Sequence, residues 1–207
     1  MKVGIVNYGM GNLASVSRAL QTIGHEPVIA QCPDQLAECS RIVLPGVGAF
    51  AEGMDRLSSE GWTSALGKLV RDEGRPLLGI CLGMQFLATR GSEGGEREGL
   101  NLIQGEVVHL SDLGCSERIP HVGWNEVHLT GADPLFETIP DSTDFYFVHS
   151  YAVRVVDPAT IVAHVCYGSE VAAVIRRGHV WGAQFHPEKS SKAGLQVLRN
   201  FCERGAC

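Results

Sequence analysis

"PLLGICLGMQ", residues 76–85, decides how this chain is read. A short apolar run ends at Cys81, and Leu82 opens a stretch with helical character. Gly79 and Gly83 stand two residues to either side of the cysteine. Small residues there let a chain turn sharply from strand to helix, which leaves a nucleophile exposed at the strand's carboxyl end. The pattern predicts a strand over 76–80 and a helix over about 82–89. A thiol at a helix N-terminus feels the positive end of the dipole, which favours the thiolate. Cysteine is also a common small core residue, and this stretch alone does not separate the two roles.

Outward from this elbow, the N-terminal half alternates short apolar runs with amphipathic stretches. "KVGIV" (2–6), "PVIA" (27–30) and "RIVLPG" (41–46) read as strands. Helices fit 12–23, 51–58 and 62–73; in the first, Leu13, Val16, Leu20 and Ile23 fall on one face and Gly24 follows as a stop. This alternation implies a parallel sheet with helices on both faces. After about residue 100 the pattern changes. "LIQGEVVHL" (102–110), "HVGWNEVHL" (121–129), "DFYFVHSYAVRV" (144–155), "TIVAHV" (160–165), "VAAVIRR" (171–177) and "HVWGAQF" (179–185) are strand-like and joined by short turns. Antiparallel pairing is expected there. A last helix fits 190–203. No linker, repeat or low-complexity segment divides the chain, so one α/β domain over 1–207 with a mixed, mostly parallel central sheet is expected, with an additional antiparallel region in the C-terminal half.

The bulk composition narrows the function classes. The net charge is -6, 44% of residues are hydrophobic, and no basic block occurs. That argues against nucleic-acid binding as the main role. No apolar run reaches membrane-spanning length and no signal core opens the chain. Seven cysteines, irregularly spaced and with no CxxC pair, support neither a zinc ribbon nor a thioredoxin-like motif. Free thiols in a reducing cytoplasm are expected, with no metal and no cofactor. Cys32, Cys39, Cys115, Cys166, Cys202 and Cys207 read as packing or incidental residues.

A cysteine nucleophile needs a base, and the base needs an orienting group. "QFHPEKS" (184–190) supplies candidates. His186 and Glu188 are two apart, the period that places side chains on one face of an extended chain, and Pro187 fixes the backbone between them. Attack on an amide also needs aimed N–H donors for the developing oxyanion. Leu82 at the start of the elbow helix and Gly46-Val47-Gly48 in "LPGVGAF" (44–50) are candidates, although a Pro-Gly turn is also an ordinary connection.

"PGVG", "GICLGMQ" and "FHPEKS", in this order, resemble the class I, or triad, glutamine amidotransferases. More narrowly, "NYGMGNLASVSRAL" (7–20), "PHVGWN" (120–125) and "YFVHSY" (146–151) resemble the glutaminase subunits of imidazole glycerol phosphate synthase. The resemblance covers nearly the whole chain. It implies a flavodoxin-like fold and hydrolysis of L-glutamine to glutamate and ammonia. By that resemblance Cys81 is the nucleophile, His186 the general acid and base, and Glu188 its orienting partner. Gln85, Ser150 and Tyr151 match positions around the glutamine; Glu93 is a looser match, because "RGSEGGEREGL" is locally diverged. The implied partner is a (β/α)8-barrel cyclase, forming a heterodimer that uses the ammonia in histidine biosynthesis. Trp124, Asn125, Tyr146 and Lys189 match positions at or near that interface.

Other readings keep part of this pattern. A subunit serving anthranilate, guanine nucleotide or carbamoyl phosphate synthesis would share the triad but not the "NYGMGN" opening or "PHVGWN". A Cys-His peptidase on the same fold would lack a reason for Gln85, and a binding module that had lost activity would not keep all three triad residues. The glycine-containing loop also implies that the isolated chain is a poor glutaminase until a partner fixes an N–H toward the oxyanion.

Overall fold

The computed structural model describes residues 1–204, so the expectation for Cys207 lies outside the described residues. The first half is a β–α alternation: β1 (Lys2–Val6), α1 (Leu13–Thr22), β2 (Glu26–Ala30), β3 (Arg41–Gly46), α2 (Phe50–Ser59), α3 (Trp62–Leu66), β4 (Leu77–Cys81) and α4 (Leu82–Gln85). Two short strands follow, β5 (Arg90–Gly91) and β6 (Arg97–Glu98). The second half holds β7 (Gly105–His109), β8 (His121–Leu129), β9 (Thr143–His149), β10 (Tyr151–Val155), β11 (Ile161–Cys166), β12 (Glu170–Arg177), β13 (Val180–Ala183) and α5 (Ser191–Arg204).

The large sheet has nine strands in the order β2-β1-β3-β4-β13-β12-β11-β8-β9. From β2 to β13 all pairings are parallel. From β13 to β9 all are antiparallel. The mixed α/β sheet expected from the sequence is therefore present, with its parallel part confined to one half. α1 and α5 pack on one face, with Val16, Leu20, Val197 and Phe201 meeting Val3 and Ile5. α2 and α3 cover the other, where Met54, Leu57, Trp62 and Leu66 join Val6, Ile42 and Leu44. Strands β3 and β4 are buried along their whole length, which is why both are largely apolar; the charged Arg41 at the start of β3 donates to the Cys202 carbonyl.

Three elements depart from the sequence reading. The helix expected over 82–89 is a single turn, because the carbonyls of Phe86, Leu87 and Ala88 accept hydrogen bonds from the 100–103 segment instead of continuing the helix. The helix expected over 62–73 is α-helical only to Leu66 and widens into a π-helical turn from Gly67 to Asp72, which keeps Leu69 and Val70 in the core. "DFYFVHSYAVRV" is two strands in different sheets. The chain leaves the large sheet at Ser150, and β10 then pairs with β7 in a second sheet of order β10-β7-β5-β6. That small sheet draws β5 and β6 from the first half, and β5 runs parallel to β7. The crossing at Ser150 brings its two neighbours, His149 and Tyr151, to the carboxyl end of β4.

Candidate active site

Cys81 ends β4 in the middle of the large sheet and has φ 54° and ψ −111°. Positive φ at a residue with a Cβ is strained, and such strain concentrates at functional sites. The flanking glycines make the turn possible. A Cβ on Gly83 would run into the Leu44 carbonyl oxygen, and one on Gly79 into the Gly83 carbonyl. Since α4 is only one turn, the helix dipole expected at this thiol is small.

His186 follows β13 and is held in place by backbone. Its N–H donates to the Tyr146 carbonyl at 2.9 Å, and its own carbonyl accepts from Ser190 Oγ at 2.7 Å. The His186 Nδ1 to Glu188 Oε1 distance is 2.7 Å, with both side chains almost fully buried. His186 Nε2 has no hydrogen-bond partner and its ring lines the cavity beside Cys81. Burial alone would lower the basicity of His186. The neighbouring Cys81 sulfur and the Glu188 carboxylate outweigh it and raise the imidazole to about 9. The Cys81 thiol donates to the Val148 carbonyl at 3.8 Å, and its sulfur accepts from Gln184 Nε2 at 3.7 Å.

A cavity of about 200 Å³ opens over the sulfur. Of the residues singled out in the sequence, Val47, Gly48, Leu82, Gln85, Glu93, Ser150 and Tyr151 line it together with Cys81 and His186. Gly46 sits just behind, paired in register with Cys81. Leu82 opens α4, so its N–H is among the first-turn amides that a helix leaves unpaired. Gly48 has φ 105°. Glu93 Oε2 accepts from the Phe50 N–H at 3.1 Å, which ties the "RGSEGGEREGL" segment to the start of α2 and brings a carboxylate to the rim. Burial raises the Glu93 pKa against the pull of that N–H.

Gln85 Nε2 donates to the Tyr151 carbonyl at 2.9 Å and to Gln184 Oε1 at 3.2 Å, leaving its Oε1 buried and unpartnered in the cavity wall. Such a group is an acceptor waiting for a donor.

The four remaining residues from the sequence divide into two sets. Trp124, 53% exposed, meets Tyr146 edge-on at 6.1 Å, and Lys189 Nζ stands 5.8 Å from the Tyr146 ring centre. Asn125, one residue on, faces the other side of β8 and bonds to His121 and the Cys166 carbonyl.

Several site residues were not singled out in the sequence. Gln184 shares the two-residue period of His186 and Glu188, a signal that was legible. His149 lines the cavity inside the quoted "YFVHSY". His121 and Val148 lie inside the quoted "PHVGWN" and "YFVHSY", but nothing in those stretches marks either as a site residue. Tyr8, from the "NYGMGN" opening, is buried with an unpartnered hydroxyl directly behind Gly46.

A strained cysteine at a strand-to-helix elbow, a buried histidine–carboxylate pair and loop amides stand around one cavity on a doubly wound sheet, the parts that a cysteine-nucleophile hydrolase uses. The family model described as "Glutamine amidotransferase class-I" matches residues 4–204. The imidazole glycerol phosphate synthase subunit HisH of Moorella thermoacetica is 44% identical over 97% of this chain and 94% of its own length. Those of Symbiobacterium thermophilum and Geobacter sulfurreducens are 46% and 41% identical, covering 97% and 98% of this chain and 92% and 98% of their own lengths. The chain belongs to the class-I glutamine amidotransferases, and among them to the HisH family. Among solved structures, a glutamine amidotransferase superposes with TM-score 0.77 at 20% identity, covering 98% of each chain. PurLQS from Thermotoga maritima superposes with TM-score 0.75 at 20% identity, covering 97% of each, and this likeness concerns the fold.

Proposed function

We propose that this chain is the glutaminase subunit of an imidazole glycerol phosphate synthase. The observation that carries the reading is the buried His186–Glu188 pair beside Cys81 at one cavity, in a chain that is 44% identical to a HisH subunit. His186 takes the thiol proton, and the sulfur attacks the side-chain carboxamide of glutamine. The tetrahedral oxyanion is held by the Leu82 N–H and an N–H of the 46–48 loop. His186 then gives its proton to the leaving nitrogen, which departs as ammonia. Water, deprotonated by the same histidine, hydrolyses the thioester to glutamate and frees Cys81. The unpartnered Gln85 Oε1 is placed to accept an N–H of the bound glutamine, and Glu93, Ser150 and Tyr151 border its amino-acid end.

The exposed Trp124, with Tyr146 and Lys189 beside it, is the surface we assign to the cyclase, a (β/α)8-barrel that receives the ammonia and makes imidazole glycerol phosphate in histidine biosynthesis. Asn125 reaches this edge only from the other face of its strand. We read 1–207 as one glutaminase domain. Six unpaired cysteines among the described residues support a reducing, cytoplasmic setting, and no helix among those residues is long and apolar enough to cross a membrane.

The test is release of glutamate and ammonia from glutamine by the purified chain, with a Cys81→Ser control, with and without the cyclase subunit and that subunit's nucleotide ligand. Turnover that needs Cys81 and rises on adding the liganded cyclase is expected. Full turnover by the isolated chain, unchanged by the cyclase, would remove the coupling. No turnover in any combination would remove the glutaminase reading.

A further inference from the structure

We propose that His121 and His149 are positioning residues of the active site, forming a one-directional hydrogen-bond relay that holds the Tyr151 carbonyl and, through it, Gln85. The proposal rests on the glutaminase reading of the cavity. Both rings are buried, at 2% and 6% exposure, and neither belongs to the triad. His149 Nδ1 lies 2.9 Å from the Tyr151 carbonyl oxygen. A carbonyl only accepts, so that nitrogen carries the proton. In the neutral ring His149 Nε2 is then an acceptor, and it lies 3.1 Å from His121 Nδ1. His121 Nδ1 must donate, which leaves His121 Nε2 bare and facing Asn125 Nδ2 at 3.5 Å.

The outer end of the relay has a fixed direction. Asn125 Oδ1 accepts from the Glu126 N–H at 2.9 Å and its Nδ2 donates to the Cys166 carbonyl at 3.1 Å. Turning the amide over would break both bonds. One Nδ2 proton serves Cys166 and the other serves His121, so every member is satisfied with the protons running one way.

The inner end meets the catalytic machinery. The Tyr151 carbonyl takes one hydrogen bond from His149 and one from Gln85 Nε2. The second Gln85 proton goes to Gln184 Oε1, and Gln184 Nε2 donates to the Cys81 sulfur. Each amide therefore has its orientation set by its neighbour. Gln85 must turn its Oε1 into the cavity, and Gln184 must turn its N–H toward the sulfur. Without the histidines the Tyr151 carbonyl loses a partner and the orientation of both amides loosens.

His121 is also sandwiched between Phe147 and Tyr167, with ring centres at 4.7 and 3.9 Å. Packing is thus the competing explanation, and two substitutions separate it from the relay. His121→Phe keeps the stack and removes the relay. His121→Gln gives up the stack but can donate through Nε2 and accept through Oε1.

The experiment measures glutamine turnover of the full chain with the liganded cyclase. The expected result is a loss in kcat/KM of about tenfold or more for His121→Phe, mostly in KM, with His121→Gln within about threefold of the wild type. Equal losses in both variants, no loss in either, or loss only in the glutamine variant would overturn the proposal. A second measurement on the unaltered protein does not depend on variant folding. Nitrogen-15 spectra of the histidine rings at neutral pH are expected to show both His121 and His149 as neutral rings protonated at Nδ1. A proton on Nε2 of either ring would overturn the relay. An inactive wild type would instead count against the glutaminase reading, since ring protonation is read without turnover.

Discussion

Glu188 Oε1 stands 2.7 Å from His186 Nδ1, and the two side chains are 1% and 2% exposed. In the proposed reaction this carboxylate holds the ring and stabilises the imidazolium that would form when Cys81 loses its proton. Glu188→Gln keeps the shape and removes the charge. The expected outcome is a fall in kcat of about tenfold to a hundredfold with KM little changed, because the interaction matters most in the transition state. Steady-state glutaminase kinetics with the cyclase present check this, and an unaltered kcat would refute the orienting role.

The loop that faces Cys81 depends on Gly48 at φ 105°, where a Cβ would press on Met10 Cε. Gly48→Ala should disturb the placement of the loop amides without touching the triad. A loss in kcat of about tenfold to a hundredfold is expected, because a displaced donor costs less than the roughly hundredfold to thousandfold loss of removing one outright. Alkylation of Cys81 by iodoacetamide should continue at the wild-type rate. A matching loss of alkylation would mean that the thiol itself had been disturbed.

Stability should fall in mild acid. Burial pushes His121 down to about 4 and His149 to about 3. A depressed folded-state pKa means that the unfolded chain binds the proton first, so this stability is present above about pH 6.5 and is lost as the pH falls toward 4 and 3. At pH 5 the loss is about 2 kcal/mol for each ring. His186 behaves oppositely. Its raised value makes its contribution complete below about pH 6.5 and lost as the pH climbs through about 9. Urea unfolding at pH 7 and pH 5 should therefore show a lower midpoint at pH 5, with a smaller drop in His121→Gln. A level or rising midpoint would contradict the buried neutral pair.

Tyr8 carries a buried hydroxyl with no partner. Removing an unsatisfied polar atom relieves its desolvation penalty. Tyr8→Phe should leave stability unchanged or raise it by about 1 kcal/mol, read as a melting temperature equal to or above the wild type. A clear drop would show that the hydroxyl has a partner.

Trp124 is the largest exposed aromatic side chain, half open to solvent beside Tyr146 and Lys189. If this is the cyclase surface, Trp124→Ala should weaken the complex by about 2 kcal/mol while the melting temperature of the chain alone stays within a degree or two. Titration calorimetry with the cyclase subunit measures the first and thermal unfolding the second. An unchanged affinity would place the interface elsewhere.

Much of this protein was legible in its residues. Strands β3 and β4 stand out because a strand covered on both faces is largely apolar, and helices α1 and α2 because only one stripe of each is buried. The elbow at Cys81 shows in Gly79 and Gly83, since no other residue lets the backbones pass so closely. His186 and Glu188 show through their spacing and the proline between them. The helix after Cys81 was overestimated because its continuation depends on the 100–103 segment, which takes over the carbonyls of Phe86 to Ala88. That competition is non-local and leaves no mark in the helix's own residues.

The sequence by itself singled out the candidates for nucleophile, base, carboxylate and glycine-bearing loop, because each role needs a residue type that local chemistry demands. Only the tertiary structure decided what stands around them. The switch from β9 to β10 at Ser150 places His149, Tyr151 and the Val148 carbonyl at the end of β4. The packing of β8 beside β9 puts His121 against His149, and the two rings acquire their burial and their proton order from that contact. Desolvation and hydrogen-bond direction belong to three-dimensional neighbourhoods, and residues 28 positions apart carry no trace of each other until the sheet brings them together.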